Sequence, residues 1–376
     1  MDIKSMYLAE IEQWMKEHGQ PAFRAKQVFQ WMHQKYVAST EDMSNLPKAL
    51  RAQMDEEGFV HIEAEMSQES KSDGTIKFLY RLSDGQMIET VFMRHNYGNS
   101  VCISSQAGCR MGCRFCASTI GGLVRNLTAS EMLEQIYATS RITGERISHV
   151  VVMGTGEPLD NYENLIRFLR LLIDENGYNL SARNITVSSC GIVPRIYDLA
   201  KEDIPITFAL SLHAPTDEER KELMPVAHQY TLAETLDACR EYFRQTGRRV
   251  SFEYSLVKGK NDTEEQARKL AKLLAGMNCH VNLIPINPVE EREYERSDSD
   301  SVEKFKSTLA KYHINATIRK SMGSDIDVTK EICVSSSGGF PCILVERRIP
   351  GSNVITIRTV FFSVTLRSVH FRICIS

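Results

Sequence analysis

Eight residues, Cys109-Arg110-Met111-Gly112-Cys113-Arg114-Phe115-Cys116, place three thiols four and then three positions apart. Gly108 and Gly112 loosen the backbone around them, so a loop of this length wraps all three sulfurs around one metal centre. A closed structural zinc site prefers four ligands, commonly two Cys-x-x-Cys pairs. Thiolates also hold iron–sulfur cubanes, usually four of them. With three, the options are a zinc whose fourth ligand comes from elsewhere, Cys102 for example, or a cubane with one iron open to a small molecule. Spacing alone leaves both open and leans to the second.

The composition constrains where such a centre would work. The chain has 376 residues, enough for one large domain and a smaller one, with 42% hydrophobic and 25% charged residues, as in ordinary soluble proteins. A formal charge of −3 provides no global basic field, so an RNA partner would have to be met by local patches. The N-terminal segment is polar and amphipathic, with no apolar signal core, and no run reaches membrane-spanning length. A cytoplasmic protein is expected, without a membrane partner. Ten cysteines in such a chain argue for metal or redox chemistry rather than a disulfide framework, and four of them fall between Cys102 and Cys116.

The elements that must position the thiols can be read from periodicity. Residues 1–60 form a small helical module. Leu8, Ile11, Trp14 and Met15 share one helix face, Gly19 and Pro21 break that helix, and Val28, Phe29, Trp31 and Met32 continue in a second. A third follows Asn45-Leu46-Pro47 through Leu50 and Met54. Trp14 and Trp31 are expected in its core, and Arg24, Lys26, Lys48 and Arg51 on a solvated surface that RNA could meet. Residues 61–99 carry a hairpin, Ile76–Leu82 and Met87–Met93, turning at Asp84-Gly85. Glu89 stands out as a carboxylate in an otherwise apolar strand.

From residue 100 to 327, β and α segments alternate. Strands are expected at Val101–Ser105, Val150–Met153, Ile185–Val187, Ile206–Leu212, Val250–Leu256 and Val281–Ile286, with a last one at Ala316–Ile318. Helices fall between them, one opened by a Thr128/Glu131 capping box. Six βα units with near-continuous apolar strands imply a parallel sheet, open or curved into a barrel or partial barrel. In either form a site assembles where loops leave the C-terminal strand ends. The first such loop carries the three thiols. The next ones carry Gly154-Thr155-Gly156-Glu157-Pro158, then Ser188-Ser189-Cys190-Gly191, Ser211-Leu212-His213-Ala214-Pro215 and Ile284-Pro285-Ile286-Asn287-Pro288. Each alone reads as turn chemistry; their convergence around one cysteine loop favours a site.

The thiol spacing, with Phe115 just before the last cysteine, resembles the signature of radical S-adenosylmethionine (SAM) enzymes. Arg24-Ala25, Glu89-Thr90-Val91, Cys102 to Gln106, Cys116-Ala117-Ser118, Gly156-Glu157-Pro158, Ser211 to Pro215 and Val281 to Pro285 together resemble the RlmN/Cfr family, radical SAM methyltransferases acting on an adenine of RNA. The resemblance runs through Asp327. Cys116-Ala117-Ser118 and Met93-Arg94-His95 look more like the RlmN branch, which modifies adenine C2, than the Cfr branch, which modifies C8.

That resemblance implies an α/β fold, a partial (β/α)6 radical SAM barrel with the small N-terminal helical domain and the β-hairpin linker. It implies a [4Fe–4S] cluster held by Cys109, Cys113 and Cys116, and SAM bound by Gly156, Glu157, Ser188, Ser211, Leu212, His213 and Asn287. In the family, SAM first methylates a cysteine near the C-terminus; a second SAM, cleaved reductively, activates that methyl group for addition to C2. The resemblance gives Glu89 the role of base for the C2 proton, and burial there would raise its pKa. Cys102 becomes the thiol that resolves the adduct by forming a disulfide. The implied partners are 23S rRNA, tRNA and an electron donor such as flavodoxin or ferredoxin, with the protein a monomer.

The C-terminus departs from the pattern. The family follows Gly-x-Asp-Ile with Ala-Ala-Cys-Gly-Gln-Leu, whose cysteine carries the methyl group. Here Gly323-Ser324-Asp325-Ile326-Asp327 runs into Val328-Thr329-Lys330-Glu331-Ile332-Cys333, and Lys330 occupies the cysteine's place. Residues 328–376 contain no alanine or aspartate, and only Glu331 and Glu346 are acidic. Such a segment is expected from a shifted reading frame and would pack poorly, with an apolar, β-prone surface. A β-rich extension in which Cys333 or Cys342 replaces the missing thiol is the competing expectation.

Overall fold

The computed structural model describes residues 2–286, 294–319, 322–323 and 325–326, together with the backbone strands Ile332–Cys333, Cys342–Arg348 and Ile355–Thr359. Asn287 and Lys330 lie outside the described residues. The chain divides into two units, Met1–Ile326 and Asp327–Ser376.

The first unit opens with α1 (Leu8–Glu17), α2 (Phe23–His33) and α3 (Lys48–Glu57). Ile11, Trp14 and Met15 of α1 are buried, as are Val28, Phe29 and Met32 of α2 and Leu50 and Met54 of α3. Trp31 is only partly buried at the edge of this core. Three strands follow, β1 (Glu63–Glu69), β2 (Ile76–Arg81) and β3 (Met87–His95). The β2–β3 hairpin matches the expected one, and β1, a strand of mostly exposed polar residues, was not legible from apolar alternation.

β4 (Gly98–Ile103) pairs antiparallel with β3, so the hairpin extends the main sheet. Beyond β4 come a two-stranded ribbon, β5 (Gln106–Gly108) and β6 (Leu123–Asn126), then α4 (Ala129–Thr143), β7 (His149–Val152), α5 (Tyr162–Ile173), β8 (Ile185–Ser189) and α6 (Val193–Ala200). The unit continues with β9 (Thr207–Ser211), α7 (Asp217–Leu223), α8 (Leu232–Thr246), β10 (Val250–Leu256), α9 (Glu264–Leu273), β11 (Cys279–Pro285), α10 (Ser299–Lys311) and β12 (Ala316–Ile318). One ten-stranded sheet runs β1-β2-β3-β4-β7-β8-β9-β10-β11-β12, parallel from β4 onward. β1 and β12 are its free edges, so the barrel is partial. Helices cover one face because the strands are apolar and connect by crossovers, which are right-handed in parallel sheets.

The Thr128/Glu131 capping box forms: Glu131 N–H donates to Thr128 Oγ1 at 3.2 Å and Thr128 N–H to Glu131 Oε2 at 2.9 Å. The α4 it opens is the seat of the N-terminal module. Lys4 and Glu134, both fully buried, pair at 2.7 Å, Arg141 donates to the other Glu134 oxygen at 2.9 Å, and His33 Nδ1 meets Tyr137 Oη at 2.9 Å. No described helix is long and apolar enough to cross a membrane. The second unit contains a three-stranded antiparallel sheet of β13 (Ile332–Cys333), β14 (Cys342–Arg348) and β15 (Ile355–Thr359).

Candidate active site

The cysteine loop bridges the β5–β6 ribbon at the C-terminal end of β4. Cys109 N–H donates to Gly122 O at 2.8 Å across the ribbon, and Arg114 N–H to Leu223 O at 2.9 Å, tying the loop to the end of α7. Gly108 has a φ of 75°, and a Cβ there would stand 2.0 Å from Gly122 O. This tight ribbon starts the loop. Thr119 Oγ1 donates to the carbonyls of Cys113 and Cys116 at 3.2 and 3.0 Å, closing its far end.

Cys109, Cys113 and Cys116 line one side of a cavity of about 290 Å³. Gly156, Glu157, Ser188, Ser211 and His213 line the rest with Cys190 and mid-strand Glu253, so loops at the ends of β4, β7, β8 and β9 converge as the spacing implied. Burial, reinforced by the neighbouring thiols, pushes Cys113 up to about 12; burial pushes Cys109 up to about 11. These thiols are costly to ionise alone, and a cationic iron core reverses that cost. No three His, Cys, Asp or Glu side chains among the described residues are gathered to hold a single metal ion. Three thiols on one loop lining a cavity are the donor type that holds iron–sulfur clusters.

Glu157 is 4% exposed and has no cationic partner among the described residues. Its carboxylate accepts from Leu159 N–H at 3.0 Å and Cys190 N–H at 2.7 Å, while burial raises its pKa against the pull of those donors. A buried carboxylate in that state matches the ammonium group of an amino acid such as SAM. Gly156 is held at φ 109° against β5, where a Cβ would lie 2.6 Å from Gln106 Cβ. The loop thereby aims the Glu157 N–H at Gln106 Oε1, 2.8 Å away.

His213 also has a positive φ, 59°, an uncommon strain for a side chain other than glycine. Its Nδ1 accepts from Ser255 N–H at 2.9 Å, so the proton of the neutral ring sits on Nε2, which is left as a donor. Burial lowers the ring's pKa to about 3 and keeps it neutral. Ser188 and Ser211 hydroxyls stand 3.4 Å apart at the adjoining strand ends.

Two expected residues are placed differently. Leu212 is fully buried in the core and does not line the cavity; its backbone serves the site, its N–H donating to Glu253 O at 2.9 Å. Glu89 is not enclosed. Its side chain is 30% exposed and 3.7 Å from Lys77 Nζ, because β3 lies near the outer strands of the sheet. Cys102, on β4, feels the Glu89 charge, and burial pushes its thiol up to about 12. No disulfide joins Cys102, Cys109, Cys113, Cys116, Cys190, Cys239 and Cys279, so the expected disulfide is not formed among them.

Glu253 and Arg220 were missed by the sequence reading, and Cys190 was named only as part of its strand-end loop. Glu253 is 3% exposed in mid-β10, accepts from Asn282 Nδ2 at 2.8 Å, and has its pKa raised by burial. An acidic residue between Phe252 and Tyr254 was the available signal. A wider groove of about 410 Å³ beside α1 and α5 holds Arg167 and Arg170, but Glu10 and Glu202 already pair with them.

Comparisons with known proteins agree with this geometry. Residues 103–274 match the radical SAM superfamily and residues 1–60 the N-terminal domain of ribosomal RNA large subunit methyltransferases. A probable dual-specificity RNA methyltransferase RlmN of Lachnoclostridium phytofermentans is 55% identical over 87% of this chain and 92% of its own length. Its counterpart in Clostridium acetobutylicum is 52% identical over 85% and 92%. The crystal structure of a radical SAM methyltransferase from Sphaerobacter thermophilus superposes with a TM-score of 0.84, at 42% identity, covering 87% of this chain and 97% of that one. The cofactors are accordingly a [4Fe–4S] cluster and SAM. With a thiol loop and strand-end cavity of the required form, and half or more of its residues shared over nearly the full length of these relatives, the chain belongs to the RlmN family of radical SAM RNA methyltransferases.

Proposed function

We propose that this chain is built to methylate C2 of adenine in 23S rRNA and tRNA through a methyl group carried on a cysteine. The observation that carries this reading is the cavity in which three thiols, a buried carboxylate with no cationic partner among the described residues and a neutral imidazole meet. The cluster supplies the single electron with which reductive cleavage of SAM begins. Cys109, Cys113 and Cys116 hold it. Glu157 receives the amino group of SAM, the Gly156 backbone allows its close approach, and Ser188, Ser211 and His213 Nε2 orient the remainder, with Asn287 joining them. Glu89 takes the C2 proton from a solvent-reached position. Cys102 starts protonated, and the Glu89 charge opposes its ionisation. Once Glu89 is neutralised by the proton it accepts, that opposition falls and Cys102 becomes a better nucleophile. Residues 1–60 supply RNA contacts, flavodoxin or ferredoxin the electrons, and the protein acts as a cytoplasmic monomer.

Lys330 favours a second reading, a homologue that binds SAM and RNA without completing transfer. An amine side chain neither forms the alkyl sulfide nor closes a disulfide. The composition of residues 328–376 accords with a shifted reading frame. An Ala-Ala-Cys-Gly-Gln-Leu sequence in an adjacent frame of the coding DNA after Asp327 would establish the shift, and its absence there ends that idea.

Anaerobic reconstitution tests the core of the proposal: iron, sulfide and reductive SAM cleavage are expected, and zinc without iron defeats it. Mass spectrometry of RNA from cells carrying only this copy separates the two readings, since any C2-methyladenine excludes the inactive one. Loss of RNA binding on removal of residues 1–60 distinguishes an RNA substrate from a small molecule.

A further inference from the structure

Arg220 of α7 is fully buried, and no carboxylate pairs with it among the described residues. Its Nε donates to Leu212 O at 3.2 Å, and its Nη2 to Cys190 O at 2.7 Å and Ser211 O at 3.3 Å. Nη1 finds no acceptor among the described residues. Asp217, one turn back on the same helix, is already committed to Leu232 N–H at 2.7 Å. The side chain thus ties the end of β8 to the end of β9, a task that neutral donors would do as well. What those hydrogen bonds do not explain is the charge. A buried guanidinium without an anion is among the costlier groups a core can contain.

The groups that interact with its charge include Cys190 and Cys113, a cluster thiol, then Asp217 and Cys239, and the cavity imidazole of His213. Arg114 N–H reaches Leu223 O, so the helix that carries Arg220 is bonded directly to the cysteine loop. Nη2 also lies 3.3 Å from the Cβ position of Gly191, and Cys190 beside it lines the cavity. A buried positive charge is therefore hydrogen-bonded to the backbone of the cavity residue Cys190 and interacts electrostatically with Cys113.

We propose that Arg220 is the fixed counter-cation of the cluster, a positioning residue that raises its reduction potential. Three thiolates around a [4Fe–4S] core of charge 2+ carry roughly one net negative charge, and reduction adds another, so potential follows the net charge nearby. A fixed cation favours the more negative, reduced form. The protein tolerates the uncompensated charge because cluster assembly supplies its anion.

The test uses the full chain reconstituted without oxygen, comparing the parent with Arg220→Lys, Arg220→Met and Arg220→Gln. Iron content and the EPR signal of the reduced cluster are measured first; a parent that assembles no cluster sinks the cofactor assignment rather than this inference. Potentiometric EPR titration should then show a tenfold or greater fall in the reduced-to-oxidised ratio at fixed potential in the Met and Gln variants, a shift of about 59 mV for one electron. The Lys variant should stay near the parent. Without cluster, the Met variant should melt no lower than the parent, and with cluster it should melt lower. An unchanged potential in Met or Gln overturns the proposal. So does loss of folding in both neutral variants before any cluster is added, since that assigns Arg220 to the structure alone.

Discussion

At the scale of single residues, the site depends on backbone positions that tolerate no Cβ and on thiols that resist ionisation. Gly156→Ala forces a methyl to within 2.6 Å of Gln106 Cβ at a φ of 109°. Overpacking and positive-φ strain each cost about 1–3 kcal/mol, so the variant should lose about 2–6 kcal/mol in urea unfolding. A loss under about 0.5 kcal/mol would show that the β7 loop gives way instead. Cys102, with its pKa raised to about 12, is a thiol at neutral pH. The thiolate is the form that alkylates, so iodoacetamide should modify Cys102 far more slowly in the folded chain than in urea, the gap narrowing as pH rises. Mass spectrometry of timed samples checks this; equal rates in both states would refute the environment assigned to it.

At the scale of elements, α4 joins the N-terminal module to the barrel and holds a buried ion cluster. Glu134 accepts from Lys4 and from Arg141, so the two ways of breaking it differ. Glu134→Gln leaves a buried lysine without its counter-ion and should cost about 3–5 kcal/mol. Lys4→Met leaves Glu134 with Arg141 and should cost about 1–2 kcal/mol. Denaturant midpoints of the two variants rank them, and a larger loss for Lys4→Met would reverse the assignment of charges. Thr128→Ala, which removes one half of the capping box, should cost about 1 kcal/mol by the same measurement.

At the scale of the whole molecule, burial of a titratable group makes stability depend on pH. His33, between α2 and α4, has its pKa lowered from 6.5 to about 3, by burial first and by the Lys4 charge second. Phe29 and Tyr137 pack against its ring. Between pH 6.5 and 3 the unfolded chain binds a proton there and the folded chain does not. Stability from this group is therefore complete above pH 6.5 and falls as pH decreases toward 3, by up to about 1.4 kcal/mol per pH unit. His33→Gln should be less stable than the parent at pH 7, and the difference should shrink by pH 5. Thermal midpoints across that range decide it; a constant difference would mean that His33 does not stay neutral in the fold.

The sequence by itself determined the βα alternation, the three-thiol loop at the end of the first parallel strand, and the Gly-Glu, Ser and His loops at later strand ends. Those are local properties: apolar runs make strands, Gly and Pro end them, and a parallel sheet puts successive loops at one edge. The charge balance of the cavity was decided only by tertiary structure. Arg220 lies on a seven-residue polar helix with no apolar periodicity, and its partners come from Cys190, Ser211 and Leu212. Glu253 lines the cavity with Asn282 of β11 donating to it, and Glu89 is part-exposed on β3 with Lys77 Nζ of β2 3.7 Å away. Burial and compensation of charge depend on which distant segments arrive alongside, and no local spacing encodes that arrival.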